Sequence, residues 1–238
     1  LMIACTSISP KHANNDIQLV AVNSWLSLGL KVYSFNNKKE CQDLVPLYPN
    51  VTFIETHRTL EHHYGKPYVS INAVLDWCKE QKEDSFCLIN SDIELRTDKE
   101  TIKRIEAKMV NTVVLANRVN YDNDYRGSQY LIGIDVFFLH KKFIGIYEQS
   151  QFCFGQCFWD YWIPYQASKH SIDVAFIKQN IAYHKNHAAQ YSHDHWMKSG
   201  QYFIWQNQLY QFHPIQGVGK MSTFVYNYIY NYSKRIEI

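Results

Sequence analysis

Glycine is scarce in this chain, with 9 residues in 238, and the scarcity has consequences. Neither a Gly-x-x-x-x-Gly-Lys-Ser/Thr loop nor a Gly-x-Gly-x-x-Gly turn occurs. Both need glycine so that backbone amides can approach a phosphate closely, so the two common phosphate-loop folds lose support. Long apolar runs are also missing. No stretch reaches the length of a membrane span, and the N-terminal residues show no signal-peptide pattern. A dominant charge sign is missing too: the formal net charge is +2, which removes the electrostatic argument for a nucleic-acid partner. Six cysteines occur, but Cys153 and Cys157 do not have zinc-ribbon spacing and no second close pair accompanies them. Cys5, Cys78 and Cys87 sit inside apolar runs, where a thiol behaves as a small hydrophobe. Reduced thiols and a cytoplasmic location are therefore expected, with docking on a membrane surface left open. The chain begins Leu1-Met2, which fits a cloning remnant or a cut from a longer protein.

The composition that remains is that of a folded globular protein, 46% hydrophobic and 19% charged. Aromatics reach 16%. Their faces can stack on sugars and bases, or they can simply fill a core. The first half alternates by period. "LMIACTSI" reads as a strand. "DIQLVAVNSWLSLG" reads as a helix capped by Asp16, with Leu19, Val22, Trp25 and Leu26 on one face and Gly29 at its end. "LKVYSF" and "VTFIE" are the next strands, with a short helix or turn, "CQDLVPLYP", between them. "GKPYVSINAVLDWCKEQ" is a helix with Pro67 near its start and Ile71, Val74, Leu75 and Cys78 on one stripe. "SFCLIN" is a fourth strand. Such alternation predicts a mostly parallel sheet with helices on both faces, and a ligand crevice beyond the carboxyl ends of the strands. Further on, "TVVLANRVNY" and "YLIGIDVFFLH" leave little room for a crossover helix, so the sheet becomes mixed. "FWDYWIPYQASKH" is a helical aromatic segment, "DVAFIKQNIAYHKNH" contains one or two strands, and "YFIWQNQLYQF" a late helix.

Four groups of residues carry chemistry. In "CLINSDIEL", the strand ends on Asn90, Ser91, Asp92 and Glu94. A carboxylate at a strand end suits a hard divalent cation, and alternation would put Asn90, Asp92 and Glu94 on one face. Capping of the next turn by Asn90 and Asp92 is the bland alternative. His184 and His187 leave a strand three residues apart, and imidazole can complete a borderline Mn²⁺ site; His193 and His195 follow in "SHDHW". Asp160 stands between Trp159 and Tyr161, where desolvation would raise its pKa and suit it to general-base work; an exposed Asp on an amphipathic helix is the alternative. Lys66 follows Gly65 ahead of a helix, a geometry that can hold phosphate oxygens.

Taken in order, "IACTSI", "SWLSLG", "KVYSFN", "GKPYVSIN", "FCLINSDI", "GIDVFFL" and an acidic "WD" ahead of "HKNH" resemble a glycosyltransferase of the GT-A fold, of the family-two type found in bacteria and viruses. The likeness covers about residues 2 to 190. It implies an α/β, Rossmann-like architecture with a mixed, mostly parallel sheet. It also implies a single catalytic domain over 1–238, made of a nucleotide-binding half (1–95), an acceptor and catalytic half (96–190) and a C-terminal helical, aromatic extension (191–238). The implied activity is metal-dependent transfer of a sugar from a nucleoside diphosphate sugar, UDP-linked, to a glycan or glycolipid hydroxyl. Asn90-Ser91-Asp92 stands where the family has Asp-x-Asp, so Asp92 would bind Mn²⁺ or Mg²⁺ and Asn90 would touch the nucleotide. Thr6, Ser7 and Asn36 match positions beside the nucleotide, and Lys66 and Asn72 match the segment near its diphosphate or ribose. Asp160 matches the base of inverting members, with Trp159 in place of the usual Glu. His184 matches a late metal ligand, with His187 as the fallback. Tyr125, Trp159, Tyr161 and Trp162 could stack on acceptor rings. Asp135 either pairs with a base such as Arg126 or bonds a sugar hydroxyl. A retaining transferase, a sugar-phosphate nucleotidyltransferase and a non-catalytic sugar-binding module are the alternatives. The nucleotidyltransferase would want a Gly-rich loop after the first strand, and "TSISPKHANND" has no Gly.

Overall fold

A computed structural model describes residues 1–10, 15–122, 127–187 and 192–238, with no account of the side chains of 15 and 128–132. The elements run β1 (Ile3–Thr6), α1 (Asn15–Ser27), β2 (Lys31–Asn36), α2 (Lys38–Leu44), β3 (Thr52–Glu55), α3 (Glu61–Tyr64), α4 (Ile71–Glu80), β4 (Ser85–Ile89), β5 (Ile93–Leu95), α5 (Lys99–Met109), β6 (Val113–Tyr121) and β7 (Gly127–His140). Then follow a 3-10 turn (Lys141–Ile146), α6 (Trp159–Lys169), β8 (Val174–Ile177), β9 (Ala182–Lys185), α7 (His193–Gln206), α8 (Val218–Tyr232) and β10 (Lys234–Ile236).

The strands form one sheet in the order β10-β8-β6-β7-β4-β1-β2-β3, with β9 against β6 and β5 against β9. β1 to β4 run parallel, as the alternation predicts. The expected mixing enters at β7, which is antiparallel to both β4 and β6. Its 14 residues reach β6 without a crossover helix. Side chains alternate between two cores. Ile3, Cys5, Phe86, Leu88, Phe137 and Leu139 face a layer built from α4, α6, α7 and α8. Ala4, Cys87, Ile89, Val136 and Phe138 face α1, α2 and α5. Because both faces are covered, the strands read as continuous apolar runs.

Local chemistry sets the boundaries. Gly29 ends the α1 turn at φ 86°, a conformation glycine adopts freely. Asn37 caps α2 by accepting from the Glu40 amide, and Asp98 caps α5 by accepting from the Thr101 amide. α4 carries the expected stripe, with Ile71, Val74, Leu75 and Cys78 all buried. Two expectations shift. Leu19 is 40% exposed, and the buried apolar face of α1 is Ile17, Ala21, Val22 and Trp25, with Leu28 buried just past the helix end. The late helix begins earlier, at His193, and stops at Gln206 before the rest of "NQLYQF". The C-terminal helices share the main core: Phe203, Val218, Met221, Val225 and Ile229 pack into it with α6.

α1 also fixes the short strand β5. Trp25, 0% exposed, donates its indole N–H to the Ile93 carbonyl at 2.8 Å. From the preceding residue, the Ser24 hydroxyl accepts from the Leu95 amide at 2.9 Å. A three-residue strand has little pairing of its own, so this clamp sets the position of the chain after Asp92. Trp25→Ala is expected to destabilise the protein by ~3–5 kcal/mol in urea unfolding. Trp25→Phe, which keeps most of the volume but loses the indole donor, should cost less. Equal losses for the two would show that the indole hydrogen bond, not packing, holds the clamp.

Candidate functional site

The strand β4 ends at Ile89, and the chain turns instead of continuing as an alternating strand. Ile93 returns its amide to the Asn90 carbonyl at 3.2 Å, so Asn90, Asp92 and Glu94 do not share a face. Glu94 faces away and accepts from Arg96 at 2.7 Å and from the Tyr121 hydroxyl at 3.2 Å. The Arg96 guanidinium lies over the Tyr121 and Tyr183 rings, at 4.5 and 4.2 Å. This cluster ties β5 to β6 and β9 from below.

β9 is placed so that His184 pairs with Ile93 across β5 and with Asn120 across β6. That register puts the imidazole beside Asp92. His184 Nε2 lies 3.5 Å from Asp92 Oδ2, and His187 Nε2 lies 3.0 Å from the same oxygen. The two Nε2 atoms are 3.2 Å apart. Three ligand atoms within 4.8 Å of one another form the candidate metal centre. Burial by itself would raise the Asp92 carboxyl, but the two imidazoles outweigh it and hold the group well below the usual carboxylate range. The buried Nδ1 of His184 has no hydrogen-bond partner among the described residues. Two imidazole nitrogens and one carboxylate suit Mn²⁺ better than Mg²⁺, which prefers an all-oxygen shell. The residues present therefore fit a borderline divalent cation. His187, the fallback ligand by sequence, makes the shorter contact.

The centre opens onto a cavity of about 730 Å³. One wall is the loop after β1. Ser7, Ile8 and Ser9 line it, while Thr6, 0% exposed, lies behind. Asn36 is the buckle of that wall. Its Nδ2 donates to the Ile8 carbonyl at 2.8 Å, and its Oδ1 accepts from Ser34 Oγ at 2.7 Å, so no part of it lines the cavity. Gln18, which the sequence reading missed, bridges this wall to the strand end. Its Oε1 accepts from the Ser9 amide at 3.0 Å and from Ser91 Oγ at 2.7 Å. Lys66 also lines the cavity, from the loop after α3, four residues before the Ser70 cap of α4. Asn72 does not reach the cavity: it donates to the Glu148 carbonyl and accepts from Ser150, a structural tie between α4 and the segment before α6.

The floor is an ionic network. Asn90 Nδ2 donates to Asp135 Oδ1 at 2.7 Å, and Arg118 Nη1 lies 3.1 Å from Asp135 Oδ2. Asp135 thus takes the structural partner Arg118; Arg126, like Tyr125, lies outside the described residues. The signal was a cation in the apolar "TVVLANRVNY" facing an anion in the neighbouring strand. Asp160, in the first turn of α6, also opens on the cavity. It is not the exposed helix residue of the bland alternative. Burial pushes its carboxyl up to about 7, and the Asp135 charge adds to the rise. The amides of Tyr161 and Asp160 and the Arg118 charge pull it part of the way back. Trp159 and Tyr161 line the cavity beside it. Trp162 is 0% exposed and packs on Phe152 and Tyr147, so it belongs to the core.

The sequence matches no protein-family model and no curated protein. Solved structures do match. Residues 1–349 of S. aureus TarS, in complex with UDP-GlcNAc, superpose with a TM-score of 0.53 over 85% of this chain and 66% of that one, at 11% identity. The longer S. aureus TarS structure gives a TM-score of 0.51 over 84% of this chain and 38% of that one, at 10% identity. At such identities the likeness defines the fold. The chain has a Rossmann-like, GT-A-type fold with helices on both faces of a mostly parallel sheet. The six cysteines are free, and among the described residues no helix is long and apolar enough to cross a membrane.

The raised Asp160 pKa makes a prediction that needs no substrate. An unfolded Asp titrates near ~4, so the folded state favours the neutral acid. That contribution is complete below about pH 4 and is lost as pH rises through about 7. Asp160→Asn cannot ionise, so it should gain on the parent by ~2 kcal/mol in chemical denaturation between about pH 5 and pH 8. Parallel pH profiles for the two proteins would contradict the burial of this carboxyl.

Proposed function

We propose that this chain is a metal-dependent transferase that moves a sugar from a nucleoside diphosphate sugar, UDP-linked, to a hydroxyl of a glycan or glycolipid, with inversion. The observation that carries the reading is the shared cavity: the Asp92–His184–His187 centre and the desolvated Asp160 carboxyl both open onto it. The fold likeness to TarS bound to UDP-GlcNAc supports a nucleotide-sugar donor. All three proposed sequence regions belong to one catalytic unit in this reading, since Trp196 and Ser222 from the C-terminal region line the same cavity.

Asp92, His184 and His187 would hold Mn²⁺, which when bound neutralises the charge developing on the departing diphosphate. Ser7, Asn90 and Ser91 lie at the nucleotide end in this reading, with Lys66 reaching the phosphates. Thr6, Asn36 and Asn72 act behind this surface by fixing the loops that form it. At the other end, ionised Asp160 accepts the proton of the acceptor hydroxyl. The oxygen attacks the anomeric carbon from the face opposite the diphosphate, the bond to the phosphate oxygen breaks, and the nucleoside diphosphate leaves. Trp159 and Tyr161 exclude water around the carboxylate, which keeps its pKa near the working range. The neutral Arg118–Asp135 pair keeps the floor from adding a second free anion.

Thermal-shift titration with UDP and Mn²⁺ separates the two ends. Asp92→Ala should abolish the Mn²⁺-dependent stabilisation by UDP and all transfer, measured over a panel of UDP-sugars. Asp160→Asn should keep the shift and lose transfer by ~10²–10⁴-fold. Parental transfer should rise with pH through about 7 as Asp160 ionises. Full Mn²⁺ dependence in Asp92→Ala would remove the metal assignment. Undiminished transfer by Asp160→Asn would mean another base or a retaining reaction, which the anomer of the product would reveal.

A further inference from the structure

The wall of the cavity that Asp92 and Asp160 share also carries an amide without a hydrogen bond among the described residues. Gln156 is 5% exposed and lines the cavity. Neither its Nε2 nor its Oε1 makes a hydrogen bond among the described residues. The Tyr68 hydroxyl is close enough for the amide to oppose the burial that raises its pKa, yet the pair misses hydrogen-bond geometry. A buried carboxamide with both ends unmet is costly and uncommon.

The backbone holds Gln156 where it is. The Phe154 amide donates to the Val69 carbonyl at 3.0 Å, and Ser70 bridges Cys153. Gly155 then turns at φ 78°, with the position of a Cβ only 3.1 Å from the Tyr68 ring. Phe158 turns again at φ 73°, in the left-handed region a bulky residue rarely occupies. α6 starts at the next residue and carries Asp160. Two left-handed residues therefore bracket Gln156 and Cys157, and strain of this kind is retained where the surroundings over-determine it.

Resting on the reading above, we infer that Gln156 is a sugar-recognition residue of this cavity. Its amide clamps two adjacent ring hydroxyls, Nε2 donating to one oxygen and Oε1 accepting from the other. A carboxamide offers one donor and one acceptor side by side, and adjacent hydroxyls each supply either role. It carries no charge, so it complements the neutral ring and not the diphosphate. A sugar lacking one of the paired hydroxyls leaves half of the buried amide unmet, the arrangement that gives strong discrimination. The ring is that of the transferred sugar or that of the acceptor.

Calorimetry with Mn²⁺ present decides this, using UDP, a series of UDP-hexoses and their monodeoxy analogues, and free hexoses added to the UDP-loaded protein. The parent should bind a UDP-hexose, or a free hexose, with an increment that Gln156→Leu reduces at least tenfold, while UDP affinity stays within twofold. An increment on the UDP-hexose assigns the transferred sugar; one on the free hexose assigns the acceptor. One monodeoxy analogue should show the same loss on the parent and no further loss on the variant. Without ligand, Gln156→Leu should melt at or above the parent temperature, since an unmet buried amide is replaced by an apolar group of similar size. Gln156→Glu, which keeps the shape and an acceptor, guards against misfolding as the cause of lost binding. An intact sugar increment in Gln156→Leu would overturn the inference, as would a variant that melts well below the parent. A parent that binds UDP without any sugar increment overturns Gln156 alone. A parent that ignores UDP and Mn²⁺ overturns the metal–diphosphate reading, and free-hexose binding together with the melting comparison then decides Gln156 separately.

Discussion

One carboxylate organises the cavity. Asp92 is largely withdrawn from water, which alone would favour its neutral form. Two imidazoles on one oxygen reverse that preference and hold it as an anion. Removing one partner of such a buried ion pair is far worse than never having built it. The surrounding architecture therefore has to bring three chain segments to one point. β4 delivers Asp92 at the end of an apolar run. β9 delivers His184 by pairing with both β5 and β6. The turn after β9 delivers His187. α1 sets the height of the assembly by bonding β5 through Ser24 and Trp25.

The same sheet separates two carboxylates by environment. Asp92 has cationic partners and is kept ionised. Asp160, at the start of α6, is desolvated beside another acid and moves up to about 7. Two acidic groups in one cavity with opposed preferences can hold a cation at one end and accept a proton at the other. Asp135 lies between these roles. It is matched by Arg118 and Asn90, and its charge adds to the rise of the Asp160 carboxyl.

Much of this was legible in the sequence, and the parts that were not have physical reasons. The parallel half showed itself because strands covered on both faces become unbroken apolar runs, and "SFCLIN" ending on Asn-Ser-Asp was readable as a strand meeting a crevice. The histidines stood out by leaving a strand three residues apart. α5 was not anticipated, although its signal was present: Asp98 caps "KETIKRIEAKM", and Ile102, Ile105 and Met109 form one buried stripe at helical spacing. β5 and β10 span three residues each and exist only through their neighbours. Asn36 and Asn72 read as ligand contacts because their positions matched a motif; their amides are consumed by loop carbonyls that no local pattern reveals. Glu94 read as a neighbour of Asp92 because alternation assumes an extended chain, and the turn at Asn90 cancels it. Gln156 left no trace, since an unmet amide is a property of its surroundings.

The proposed function depends most directly on whether Asp92, His184 and His187 hold a cation that also meets the diphosphate. Pulsed electron-nuclear spectroscopy of Mn²⁺ bound to the protein reads that environment. Nitrogen couplings from two imidazoles are expected, with phosphorus couplings that appear when UDP is added. A Mn²⁺ signal surrounded by water alone, unchanged by UDP, would contradict it.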